Sequence, residues 1–329
     1  MRDVTPIEKL IDEKEASKIG GMILLIIGEP GAGKTMALTI MVMKDLGIDK
    51  VGQEYKEDEV RRIPLWTAQK TCQWLVPAAQ GIPVTFWVHE SVEDFSFFTT
   101  GSKKDDIPKK EVDLENAEGL DVKFKDFNDP EEIVEDIDVD RLNVYYIPGA
   151  EGGEKEKYFF QDMNYRLSKA LNDRSYGDHV TLNADEIQNV ARDKNKKPFY
   201  DLQMNKFPHE WQDFRKNSVS MRGSGHGYGE INWKYYKLKA NGIVYMQGGK
   251  VHGDHTEIDQ GTVNSMRRGE FVVNGFEPGK FRLPKNPKNV FDWLKDHDDV
   301  KLKMDVSYNV PDVRPTPEDV ESVLSELPI

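Results

Sequence analysis

The sequence predicts an α/β fold built on a mostly parallel sheet. Three observations lead there. Met22 to Ile27 (MILLII) is an unbroken apolar run, the pattern of a strand covered on both faces. It leads directly into Gly28-Glu29-Pro30-Gly31-Ala32-Gly33-Lys34-Thr35, which fits the P-loop pattern G-x-x-x-x-G-K-[ST]. Strand-like and helix-like segments then alternate, as parallel strands joined by crossovers require.

The elements follow in chain order. Residues 1–20 read as a polar lead-in with the look of a short amphipathic helix. After Thr35, MALTIMVMKDLG is apolar nearly all round, the mark of a buried helix, with Gly47 as its stop. Ile63–Trp66 reads as a second strand, residues 67–80 as a helix broken near Pro77, and residues 84–90 (VTFWVHE) as a strong strand. Residues 96–141 are acidic and weakly periodic and are expected to be a partly mobile insertion. Leu142–Ile147 returns to strand. Phe159, Met163, Leu167 and Leu171 then fall on one helical face of Tyr158–Asn172.

His179–Ala184 is the next strand, ending at Asp185-Glu186. A basic loop follows at 191–198, then a helix at Pro208–Lys216. A short strand, Ser218–Met221, leads into the glycine-rich residues 223–229 (GSGHGYG). Ile243–Gln247 and Phe271–Val273 read as strands, and Gly279–Leu283 as another. Residues 285–329 are expected to be an acidic tail ending in a helix, with Thr316 as its N-cap before Pro317. The lead-in 1–20, the core 21–284 and this tail make the expected domain organisation.

Composition sets bounds. The chain has 329 residues and a net charge of -13. Residues 103–140 hold 15 Asp/Glu against 6 Lys, and residues 292–329 hold 10 against 4 Lys/Arg. The rest is near neutral, which permits a local basic surface without indicating one. Cys72 is the single cysteine, so no intramolecular disulfide forms and a reducing, cytoplasmic setting is expected. No apolar run approaches the roughly 20 residues that span a bilayer. A transmembrane segment is therefore not expected.

The motif chemistry points to a nucleoside triphosphate. Backbone N–H groups converge on phosphate only where side chains do not intrude, hence Gly28, Gly31 and Gly33. The helix N-terminus adds its positive dipole end. Lys34 is expected to reach the β- and γ-phosphates, and Thr35 to ligate Mg²⁺. Hydrolysis of ATP further needs a carboxylate on the metal and one on the attacking water. Asp185 and Glu186 suit those roles, although Asn183 makes their strand polar for its position. His252-Gly253-Asp254-His255 holds metal-capable side chains, but a polar connection between strands explains them equally.

From about residue 21 to 284 the order of motifs resembles the FtsK–HerA group of P-loop ATPases. That order is the P-loop, Asp-Glu at a strand end, Arg215-Lys216, a strand ending in polar residues, then NSMRRGEFVVNG at 264–275. Viral genome-packaging ATPases and Zot-like (zonula occludens toxin-like) morphogenesis ATPases lie near that group. The resemblance implies a RecA-like core and an oligomeric ring, commonly a hexamer, that moves DNA. It also implies a polar sensor after the Asp-Glu strand, for which Ser224 and His226 are nearest. A ring ATPase usually takes an arginine in trans. Arg215 is the choice by position, ahead of Arg174, Arg192 and Arg222.

The expected function is ATP-driven translocation of DNA, double-stranded in genome packaging, in the host cytoplasm if the protein is viral. Arg192, Lys194, Lys196 and Lys197 are the expected phosphate contacts. One alternative is a Zot-like ATPase acting on virion or filament assembly through a virion or membrane protein partner. A small-molecule kinase is another.

Overall fold

The computed structural model describes residues 21–49, 53–68, 72–100, 109–174, 178–190, 202, 206–214, 216–226, 242–253, 255, 257–273, 278–280 and 301–316. Several sequence expectations lie outside them: the helices at the two ends, the basic residues Arg192, Lys194, Lys196 and Lys197, and Arg215.

The first strand, β1 (Ile23–Ile27), is buried at every position. Helix α1 (Lys34–Asp45) follows the phosphate loop, with Met36, Leu38, Met41 and Val42 in the core. The next parallel strands are β2 (Ile63–Thr67), β3 (Val84–His89), β6 (Val122–Phe127), β7 (Leu142–Tyr146), β8 (Val180–Ala184), β9 (Val219–Gly225) and β10 (Gly242–Met246). Two short strands, β11 (Glu270–Val273) and β12 (Gly279–Lys280), run antiparallel at one edge. Among the described residues the sheet has ten strands in the order β12-β11-β10-β1-β9-β8-β2-β7-β3-β6. A single strand, β9, therefore separates the phosphate-loop strand from the Asp-Glu strand, and all their C-terminal ends share one edge. That edge is where an open parallel sheet binds ligands.

Apolar side chains cover both faces. Leu24, Ile26, Val84 and Phe86 pack with α1 and Trp74 on one. On the other, Ile23, Leu25 and Ile27 share a core with the long helix α4 (Glu154–Asp173). Its Phe159, Met163, Leu167 and Leu171 are all buried there, the stripe that the 3.6-residue period specifies.

The acidic span differs from its expectation. Its residues 122–127 form β6, paired with β3 in continuous register from Val84↔Val122 to His89↔Phe127, so this part belongs to the main sheet. Asp129 then caps helix α3 (Pro130–Glu135) through a capping box with Glu132, with Pro130 in the first turn. Three of the span's acids are paired locally: Asp136 with Lys125, Asp138 with Lys123, and Asp121 with Arg141.

The tail differs as well. Residues 301–308 form β13 (Lys301–Tyr308), antiparallel to β4 (Val92–Thr100). With β5 (Glu111–Val112) these make a second, three-stranded sheet. Leu302 and Met304 are buried on either side of half-exposed Lys303, with Asp305 exposed, the two-residue period of a half-buried strand. The helix expected over 67–80 is reduced, among the described residues, to the single turn α2 (Leu75–Ala78). Two further helices are α5 (Phe207–Asp213) and α6 (Gln260–Ser265), the latter capped by the Asp259 side chain. Among the described residues no helix is long and apolar enough to cross a membrane.

Candidate active site

The site lies where β1, β8 and β9 end together. Gly31 and Gly33 take left-handed backbone angles, φ 86° and 102°, which a side chain resists. A Cβ on Gly31 would meet nothing within 4 Å, so the loop there opens outward. Gly33 caps α1 without side-chain help, leaving the first-turn N–H groups directed at the loop.

Lys34 is buried, and its ammonium is held inside the loop. Nζ donates to the carbonyl of Gly28 at 2.9 Å and to that of Glu29 at 3.0 Å. It also lies 3.0 Å from Nδ1 of His226, at the end of β9. An ammonium only donates, so Nδ1 accepts and the proton of a neutral ring sits on Nε2. Nε2 in turn faces Oε1 of Glu186 at 3.4 Å. Lys34, His226 and Glu186 thus form one chain of contacts across the mouth of the loop.

Thr35 Oγ1 donates to Oδ2 of Asp185 at 2.8 Å. The other carboxylate oxygen of Asp185 accepts from Ser224 Oγ and, at 3.2 Å, from the backbone N–H of Glu186. Asp185 is buried and fixed on both oxygens, while Glu186 is partly exposed. Glu186 has φ 52° and ψ 52°, a left-handed conformation for a residue with a side chain, costing about 1–2 kcal/mol. The sharp turn separates the two acids, with Asp185 facing Thr35 and Glu186 facing His226. A hydroxyl and a carboxylate in contact are the hard oxygen donors that suit Mg²⁺, so the residues present fit that ion.

The supporting contacts explain odd residues. Asn183 is buried in β8, but its amide donates to the carbonyls of Thr181 and Leu65. A Cβ on Gly223 would come within 2.4 Å of Ile187 Cδ1, so β9 needs glycine there to pass beneath the turn after Glu186. Under α1, Arg222 is fully buried and binds both carboxylate oxygens of Asp45, at 2.6 and 2.9 Å. Arg62 approaches the same carboxylate at 3.6 Å, and Thr181 donates to it at 2.8 Å.

The sequence-derived residues therefore divide clearly. Gly28 to Thr35, Asp185, Glu186, Ser224 and His226 come together. Arg222 is engaged inside its own chain and does not extend to a neighbour. Arg174 donates to the carbonyls of Asp178, Asn217 and Ser218, tying the end of α4 to β9. His255 Nδ1 meets Tyr245 OH at 2.8 Å, and among the described residues no group of three or more His, Cys, Asp or Glu is placed to hold a metal. The sequence did not reveal that the turn before β11 rests on the phosphate loop, where Gly269 N–H donates to the carbonyl of Ala32 at 3.0 Å. Gly269 itself stood in plain view within NSMRRGEF.

No family model and no curated protein matches the chain. Among solved structures, it is similar to the genome packaging NTPase B204 from Sulfolobus turreted icosahedral virus 2 in complex with sulfate. Identity there is 11%, covering 80% of this chain and 98% of that one, with a TM-score of 0.39. It is similar to the N-terminal domain of zonular occludens toxin from Neisseria meningitidis, at 14% identity over 88% and 95%, TM-score 0.29. For VirB4 of Thermoanaerobacter pseudethanolicus the values are 9%, 80%, 90% and 0.45. Likenesses this distant carry no argument about chemistry, which rests on the residues.

Proposed function

We propose that the protein is a P-loop ATPase that couples ATP hydrolysis to the movement of double-stranded DNA, most specifically in packaging a viral genome. The observation that carries the reading is the convergence of Lys34, Thr35, Asp185, Glu186 and His226 on one mouth. A cation, a metal-side oxygen pair and a second, partly exposed carboxylate there are the set that phosphoryl transfer to water requires.

Lys34 swings its charge onto the β- and γ-phosphates, and the loop N–H groups hold the remaining phosphate oxygens. Thr35 and Asp185 would hold Mg²⁺, which supplies charge neutralisation on those oxygens. Glu186 orients the attacking water and accepts its proton, and its partial exposure gives that water access. Ser224 fixes Asp185, and His226 spans from the lysine to the glutamate. Since water takes the phosphoryl group, a kinase acceptor site is not part of the reading.

The proposal extends to a homo-oligomeric ring, a hexamer by the sequence resemblance, working in the host cytoplasm. Arg215 would act across subunits, and Arg192, Lys194, Lys196 and Lys197 would meet DNA phosphates. Residues 21–284 would be the motor core, with 1–20 as an appendage and β13, from the 285–329 span, packed onto it through β4.

The test is the ATPase rate of the full chain with and without linear double-stranded DNA across salt concentrations. Stimulation that fades with salt and ignores sequence is expected, because phosphate contacts release counterions. Changing Lys194, Lys196 and Lys197 together to Ala should reduce stimulation and spare the basal rate. An active ATPase that stays monomeric and indifferent to DNA at low salt would favour a Zot-like assembly role acting on protein partners.

A further inference from the structure

Two arginines lie in the turn that rests on the phosphate loop. Arg267 and Arg268 are exposed, and among the described residues neither guanidinium makes an ion pair. That is notable in a chain with 58 acidic residues against 45 basic ones. Their turn is held in place. Gly269 N–H donates to Ala32 O at 3.0 Å, Gly269 has φ 83°, and the N–H of Arg267 donates to Glu270 Oε2 at 2.8 Å. A Cβ on Gly33 would lie 3.6 Å from Gly269 N, so the turn abuts the loop's last glycine.

The sheet order assigns this turn a side. β1 has β9 and β8 on one flank and β10 and β11 on the other. The acids, His226 and the Lys34 ammonium mark the β9 flank as the γ-phosphate end. A triphosphate lying along the loop must therefore carry its nucleoside toward the β10–β11 flank, where Arg267 and Arg268 sit. A guanidinium is planar, stays charged and stacks on aromatic faces while its edge donates to oxygens.

Building on the nucleotide-binding reading above, we infer that Arg267 and Arg268 form the nucleoside wall of the pocket, covering the base and donating to the ribose. They give the site its preference for a nucleotide over a bare phosphate chain. The arginines belong to the same chain as the loop on which Gly269 rests, so the role assigned to them here acts in cis.

The experiment is calorimetric titration of the full chain with ADP and with inorganic tripolyphosphate. The variants are Arg267→Ala with Arg268→Ala, Arg267→Lys with Arg268→Lys, and Lys34→Ala. The double Ala variant is expected to bind ADP at least about tenfold more weakly and tripolyphosphate within about threefold of the parent. The double Lys variant keeps the charges but not the planes, and should remain at least about fivefold weak for ADP. Equal weakening for both ligands would make the arginines simple phosphate charges and overturn the wall; no weakening would overturn it too. Failure of the underlying reading looks different: the parent binds neither ligand, or Lys34→Ala binds both as the parent does, and the inference falls with it.

Discussion

The hydroxyl of Thr35 donates a 2.8 Å hydrogen bond to Oδ2 of Asp185, joining the last residue of the phosphate loop to an acid 150 positions later. The pair places two oxygen donors at the head of α1, where a cation between protein and phosphate must lie. Thr35→Ser keeps the donor and is expected to stay within about threefold of the parent in its Mg²⁺ requirement. Thr35→Ala and Asp185→Asn should each raise the half-saturating Mg²⁺ concentration about tenfold or more. Lys34→Ala should lower turnover at least about 100-fold, since it removes the loop's own cation. Phosphate release measured against Mg²⁺ concentration checks all four, and parent-like turnover in Lys34→Ala would remove the P-loop assignment.

Glu186 offers a separation of activity from stability. If Glu186 accepts the water's proton as proposed, Glu186→Gln should bind ATP normally and hydrolyse it about 10²–10⁴-fold more slowly. Glu186→Gly should be equally inactive, yet as stable as the parent. Relief of about 1 kcal/mol of left-handed strain offsets a similar loss from the looser unfolded chain. Nucleotide titration, single-turnover hydrolysis and urea unfolding distinguish these outcomes. A Gly variant that unfolds well before the parent would show that the turn is held by the side chain instead.

The site was legible because its chemistry is local. The P-loop is eight consecutive residues, and Asp185-Glu186 directly follow the strand-like run VTLNA. The mostly parallel character of the sheet also followed from alternation of elements. What escaped notice depended on pairing across distance. KLKMDVSY alternates plainly, but nothing in it names Val92–Thr100 as the strand it joins. Lys123, Lys125 and Asp126 hid β6, because an edge strand tolerates polar residues that a central strand does not. Asp129-Pro130-Glu131-Glu132 carried a readable helix start that the surrounding acidity masked. Strand β9 runs through Gly223 to Gly225, where glycines suggested a loop; Ile187 pressing on Gly223 is the tertiary reason.

Stability should depend on His179. Burial, reinforced by the nearby Arg62 guanidinium, pushes it down from 6.5 to about 4. Ser220 Oγ accepts from the N–H of Met22 and has its own proton left for Nε2 of His179, at 2.8 Å, which suits the neutral ring. Between pH 6.5 and 4 the unfolded chain binds a proton here that the folded chain refuses. The stability present above pH 6.5 therefore falls with pH across this window and levels off near 4, by about 3 kcal/mol in all. Urea unfolding at pH 7, 6 and 5 reads the upper part, before most carboxylates titrate. His179→Gln should flatten that slope, and an unchanged slope would place the dependence on another group.

His226 is the contact that joins the Lys34 ammonium to the Glu186 carboxylate. Lys34 Nζ keeps two carbonyl acceptors without it, so the loop does not need the imidazole to hold its lysine. Among the described residues Glu186 has no comparable support: its neighbour Gln188 is 3.5 Å away, at the limit of a hydrogen bond. Loss of His226 should therefore act on the glutamate's aim more than on nucleotide affinity. His226→Ala is expected to lower kcat about 10- to 100-fold while ATP and ADP affinities stay within about threefold. His226→Gln offers an oxygen to the ammonium and an N–H to the carboxylate, and should recover most of the rate. Equal losses in affinity and turnover would instead assign His226 to the phosphate cradle. A His226→Ala enzyme with the parent's kcat would leave the imidazole outside the reaction altogether.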